Sequence, residues 1–72
     1  MEIEINSIVT RLTFPEVHSE YEVIATKNKP YFNSEGKAIE VEVGKDYIIV
    51  PIDKKLDFRQ FYHVTRFEID LI

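Results

Sequence analysis

The sequence predicts a small all-β protein, and three observations carry that expectation. Apolar residues recur at every second position in Ile3/Ile5, Tyr21/Val23/Ala25, Ile39/Val41/Val43 and Phe67/Ile69/Leu71, and alternate residues of a strand share one face. Turn and breaker residues fall between these runs: Pro15, Asn33 to Gly36, Gly44 and Pro51. Only one stretch, around Leu56 to Tyr62, resists the two-residue period. The expected architecture is a single β domain over residues 1–72, a strongly curved antiparallel sheet or small barrel with one short helical turn.

The elements follow in order. Ile3 and Ile5 alternate with Glu2 and Glu4, and after Asn6-Ser7 the apolar phase moves to Ile8, Leu12 and Phe14. A slip of one residue turns side chains to the other face, so Asn6-Ser7 is predicted to be a bulge or turn. Pro15 ends this segment because it has no amide for a ladder. Tyr21, Val23 and Ala25 alternate with Glu20, Glu22 and Ile24 as a second strand.

Asn33-Ser34-Glu35-Gly36 has asparagine to open a type I turn and glycine for the left-handed position after it. Tyr31-Phe32 and Lys37-Ala38 should therefore flank a hairpin. Ile39, Val41 and Val43 then face away from Glu40 and Glu42 until Gly44-Lys45 interrupts. Tyr47-Ile48-Ile49-Val50 is apolar on both faces, as suits a central strand covered on both sides, and Pro51 closes it. In LDFRQFYHV, Leu56, Phe58, Phe61 and Tyr62 fit a single helical turn capped by Asp57. Phe58 and Phe61 are expected to plug the core, leaving Arg59, Tyr62 and Arg66 exposed. The last strand, Val64 to Leu71, sets Phe67, Ile69 and Leu71 against Arg66, Glu68 and Asp70.

Composition bounds the chemistry. A chain of 72 residues hides only ~60% of its unfolded surface, so stability is expected to be slender. There is no cysteine for a disulfide, and two histidines do not make a structural zinc site. The core must come from packing, with 44% apolar residues and five Phe and four Tyr to build it, or from an oligomer that shares it. Neither metal nor cofactor is expected.

The net charge is −4 and is spread unevenly. Residues 1 to 24 carry Glu2, Glu4, Glu16, Glu20 and Glu22 against Arg11, a balance of −4, while residues 25 to 37 carry Lys27, Lys29 and Lys37 against Glu35, a balance of +2. An acidic total argues against a general DNA binder and permits only a local basic face. Met-Glu-Ile-Glu-Ile lacks the basic start and long apolar run of a leader, and no apolar stretch approaches the ~20 residues of a membrane helix. The expected location is the cytoplasm.

Short strands with a helical turn before the last describe an SH3-like barrel. Val43-Gly44-Lys45-Asp46-Tyr47-Ile48-Ile49-Val50, followed by Arg66-Phe67-Glu68, resembles small SH3-like proteins of phages and other mobile elements, which often carry a vGKxYxV strand and a late RFE. The resemblance covers the chain from Val43 onward, and the connection from Ile52 to Arg59 departs from it in lacking a glycine turn. It implies a non-enzymatic interaction module and identifies no partner.

No catalytic constellation stands out. His18-Ser19-Glu20 fails as a triad, because in an extended segment Ser19 points away from its neighbours. His63 lies near Arg59 and Arg66 without a titratable group spaced to tune it, and reads as a half-buried histidine bonded to backbone. Only Gly36 and Gly44 are present, too few for a phosphate loop. Glu2/Glu4, Glu20/Glu22 and Glu40/Glu42 form i, i+2 pairs on expected strands, either a solvent face or an acidic surface for a basic partner.

The sequence thus points to a non-catalytic protein-binding module, of phage or mobile-element kind, that docks on and modulates or inhibits a host or defence protein. Arg59, Tyr62, Arg66, Glu40 and Glu42 are its candidate contacts. The alternative is a nucleic-acid module in which Lys27 and Lys29 hold phosphates while bases stack on Tyr31 and Phe32. Either a monomer or a small homo-oligomer fits.

Overall fold

The computed structural model describes residues 3–12, 20–52 and 61–72. Among these residues the protein is all-β, with seven strands in antiparallel sheets and a 3-10 turn. The strands are β1 (Ile8–Arg11), β2 (Tyr21–Thr26), β3 (Tyr31–Phe32), β4 (Ala38–Ile39), β5 (Tyr47–Pro51), β6 (Tyr62–Val64) and β7 (Ile69–Leu71). The 3-10 turn, Arg66–Glu68, joins β6 to β7. Five strands form one sheet in the order β6-β5-β2-β1-β7, and β3 and β4 form a separate hairpin inserted between β2 and β5.

The alternation in β2 has the expected result: Tyr21, Val23 and Ala25 are buried. They meet β5, where Val23 lies opposite Ile49. Ile3, Val9, Tyr21, Val23, Ile49, Val64 and Ile69 make the core on that face. Ile48 and Val50 point to the other face of β5 and are also shut off from water. An apolar run without polar alternation therefore marks a strand covered on both sides. The register shifts between Val23 and Ala25, so that Ala25 lies opposite Ile48. Such a bulge adds local twist and curves the sheet.

The turn expected at Asn6-Ser7 is present, closed by the Ser7 amide on the Glu4 carbonyl at 3.0 Å, but Ile3 and Ile5 lie in no strand. Asn6 adopts φ 75°, a left-handed conformation that asparagine tolerates better than most residues. Its amide donates to the Val23 carbonyl at 2.9 Å, and the Val23 amide donates to Ser7 at 3.0 Å. These bonds feed the chain into β1 in the shifted phase, with Ile3 kept in the core.

Two further expectations are corrected. The strand read through Ile39, Val41 and Val43 stops at Ile39, and Val43 is 99% exposed. A turn closed by the Lys45 amide on the Glu42 carbonyl, with Gly44 at φ 88°, bends the chain away. Glu40 and Glu42 accordingly lie outside any strand. The closing strand from Val64 to Leu71 is broken in two by the 3-10 turn, because side chains from Asp46 and Glu68 capture the amides of Arg66 and Thr65. Phe67 consequently leaves the face of Ile69 and Leu71 and stands 87% exposed. The helical turn expected over Leu56 to Tyr62 lies mostly outside the described residues, and its last member, Tyr62, opens β6.

Candidate functional site

The β3–β4 hairpin is built by local chemistry. The Asn33 side-chain oxygen accepts the amides of Glu35 at 2.9 Å and Lys37 at 3.0 Å. The Gly36 amide closes the turn on the Asn33 carbonyl, with φ 77° at the glycine. This sets Tyr31 opposite Ile39 and Phe32 opposite Ala38. Phe61 packs edge-on against Tyr31, with ring centroids 5.7 Å apart. Its expected role as a core plug becomes that of a support for the hairpin. Tyr31, Phe32, Ile39 and Phe61 line an open cleft of about 480 Å³, and Phe32 is 62% exposed at its rim.

The chain leaving this cleft carries exposed Glu40 and Glu42 and is tied back to the main sheet. The Glu42 amide donates to Nδ1 of His63 at 3.1 Å. His63 is half-buried on β6, as a histidine engaged with backbone should be. The cleft and its acidic arm thus have fixed positions relative to each other.

A second assembly lies at the end of the sheet. The Asp46 carboxylate accepts the Arg66 amide at 2.8 Å and pairs with the Lys27 ammonium at 3.0 Å. The Glu68 carboxylate accepts both the amide and the hydroxyl of Thr65 at 3.0 Å, and Lys45 Nζ stands 3.5 Å away. The Arg66 amide, with Lys27 beside it, holds the Asp46 carboxyl below its ordinary value of 3.8. The Thr65 amide does the same for Glu68 against 4.5, opposed in part by burial and helped by the Thr65 hydroxyl and Lys45. The two segments of sequence in Val43–Val50 and Arg66–Glu68 therefore meet in space and fasten one another.

The predicted site residues separate accordingly. Lys27 and Lys29 are exposed on the turn after β2 and, with Arg66, line a groove of about 900 Å³ that also contains Glu4 and Asp46. Tyr31 and Phe32 line the hairpin cleft instead, so the lysines and aromatics do not form one groove. Tyr62, expected on the surface, is half-buried and packs on the core. It stands opposite Ile49 in the β5–β6 register, meets Tyr21 edge-on at 6.1 Å and carries the Arg11 guanidinium 4.8 Å from its ring centroid. Arg59, Phe58 and the His18-Ser19 pair lie outside the described residues.

Sequence reasoning missed Phe67 as a surface residue, since its period matched the buried Ile69. Among the described residues no three His, Cys, Asp or Glu side chains group as a metal site, and no helix is long and apolar enough to cross a membrane. No family model, curated protein or solved structure matches the chain.

Proposed function

We propose that the protein is a non-catalytic binding module that holds a protein partner in the hairpin cleft. The observation that carries this reading is the Tyr31–Phe32–Ile39–Phe61 cleft opening beside exposed Glu40 and Glu42. Aromatic walls reward burial of an apolar side chain, and the carboxylates favour a neighbouring cation. The fitting ligand is a segment with an apolar residue flanked by lysine or arginine. A short, locally stabilised hairpin needs little reorganisation to receive it.

The strand order, with β1 paired to β7 and a 3-10 turn leading into β7, supports the SH3-like reading. With the resemblance from Val43 onward, it supports a phage or mobile-element protein that modulates or inhibits a host or defence protein. The nucleic-acid alternative draws on Lys27, Lys29 and Arg66 in the large groove. Asp46 already engages Lys27 there, and the aromatic cleft has carboxylates rather than lysines at its side.

Selection from a random peptide library tests the proposal. Apolar residues flanked by cations should be enriched, and Phe32→Ala or Glu40→Lys with Glu42→Lys should abolish the enrichment. Enrichment indifferent to those substitutions would refute the cleft. Tighter binding to a single-stranded oligonucleotide than to any selected peptide would favour the alternative.

A further inference from the structure

His63 is bonded in a way that only its neutral ring allows. The Glu42 amide is the donor of the 3.1 Å bond, so Nδ1 of His63 is the acceptor and must carry no proton. A neutral imidazole that accepts at Nδ1 keeps its proton on Nε2, whereas an imidazolium is a donor at both nitrogens and accepts at neither. We propose that His63 is a proton-operated latch, which holds the acidic arm of Glu40 and Glu42 to the sheet when neutral and releases it when protonated.

What the latch holds is otherwise loosely attached. Residues 40–43 run from β4, where Ile39 pairs with Tyr31, to the turn closed by the Lys45 amide on the Glu42 carbonyl. Among the described residues no other hydrogen bond or ion pair joins residues 40–43 to the five-stranded sheet. Packing leaves the arm room, since Val43 is exposed and an open cleft of about 380 Å³ is shared by the arm with Thr26, Lys27 and Pro30. The ring is better anchored. His63 lies on β6 opposite Ile48, which is fully buried on the central strand β5. The arm is therefore the part that moves when the bond is lost.

The neighbouring elements bring no second titrating group into the range from about pH 5 to about pH 8, where histidines change charge. β5 and β6 carry only the phenols of Tyr47 and Tyr62 besides His63 itself, and Arg11 lies over Tyr62 on the opposite face of β6. Asp46 and Glu68 are held below ordinary carboxylate values by the amides of Arg66 and Thr65, so both stay ionised, with Lys27 and Lys45 beside them. Arg66 keeps its charge throughout. That leaves Glu40 and Glu42, exposed carboxylates on the arm itself. They attract a protonated ring, but an exposed pair of this kind is weak in water. Against it, the Glu42 N–H faces an imidazolium N–H of like polarity, and the bond cannot persist.

The test is NMR of the full chain titrated from about pH 8 to about pH 5. At the upper end the ring nitrogens of His63 should show a bare Nδ1 and a protonated Nε2. As the ring gains its second proton, the Glu42 amide should lose ~3- to 10-fold of its protection from hydrogen exchange, corrected for intrinsic rates, which is what one net hydrogen bond carries. The Glu35 and Lys37 amides, bonded to Asn33, should keep theirs. His63→Asn places an acceptor that does not titrate near the position of Nδ1, and should make the Glu42 protection independent of pH. A proton on Nδ1 at the upper end, Glu42 protection unchanged once the ring is charged, or a pH response that survives in a folded His63→Asn variant would overturn the proposal. The parent titration decides the matter even if the variant does not fold. Any consequence for a bound partner rests on the cleft reading. The amide readout needs no peptide, so failure of the latch and failure of the cleft are told apart.

Discussion

The turns at Asn33 and at Arg66 each have a side-chain oxygen accepting backbone amides, and those oxygens come from different distances along the chain. At Asn33 the acceptor belongs to the turn itself and serves amides two and four residues on. At Arg66 the acceptor is Asp46, twenty residues earlier in the chain, and Lys45 reaches Glu68 across twenty-three. The first turn forms wherever its own few residues are placed. The second also has a local bond, from the Thr65 amide to Glu68, but its Asp46 anchor is in place only when β5 and β6 are paired, so it reports on the sheet as well. The hairpin is an addition to the fold, whereas the 3-10 turn is a product of it.

The largest effect should come from removing the sheet on which the distant turn depends. Ile49 is fully buried and lies opposite both Val23 and Tyr62. Ile49→Ala should cost ~2–5 kcal/mol, read by denaturant unfolding, and the 3-10 turn should be lost with the core. Near-parental stability would show that the sheet does not govern that turn.

Asp46→Ala should cost less, about 1–2 kcal/mol, because water can reach the amide that loses its charged acceptor. Its effect should still be global, lowering the midpoint and exposing the Arg66 amide to hydrogen exchange. Asn33→Ala should cost about 0.5–1 kcal/mol, with faster exchange confined to the amides of Glu35 and Lys37. An equal fall in the midpoint for both variants would erase the distinction between the two turns.

The smallest effect is the acid response of the distant turn. Asp46 and Glu68 are held below their ordinary values of 3.8 and 4.5. A carboxyl depressed in the folded state contributes stability that is complete above its unfolded value and is lost as pH falls through its folded one. The parent midpoint should therefore drop on acidification below pH 4.5. The Asp46→Asn, Glu68→Gln double variant should drop less over that window, and a parallel fall in both proteins would deny these carboxyls their part.

The same contrast explains what could be read from the sequence. Tyr21–Val23–Ala25, the Asn33–Gly36 turn and the doubly covered strand around Ile49 are set by neighbours within a few residues, and each appears where its pattern places it. Phe67 does not. Its alternation with Ile69 is real, but the clamp from Asp46 and Glu68 rotates it out. Tyr62 fails for a related reason: spacing against Phe58 and Phe61 suggested a helical face, while pairing with Ile49 sets its direction. Of the candidate site, exposed Glu40, Glu42 and Phe32 were legible as polar or aromatic residues around a strong turn. The Lys27–Asp46 pair was not, because it joins separate turns across the sheet end.

The pairing of β1 with β7 also fixes how the protein should respond to tension. Ile8 and Ile72 meet at one end of the pair, where the Ile72 amide donates to the Ile8 carbonyl at 3.2 Å. Leu12 and Glu68 meet at the other end. A pull between Ile8 and Ile72 therefore peels the two strands apart one bond at a time. Handles at Ile8 and Phe67 would load the same bonds together, in shear. Single-molecule stretching should find the first geometry yielding at the lower force, which makes the junction of these two strands a natural starting point for forced unfolding.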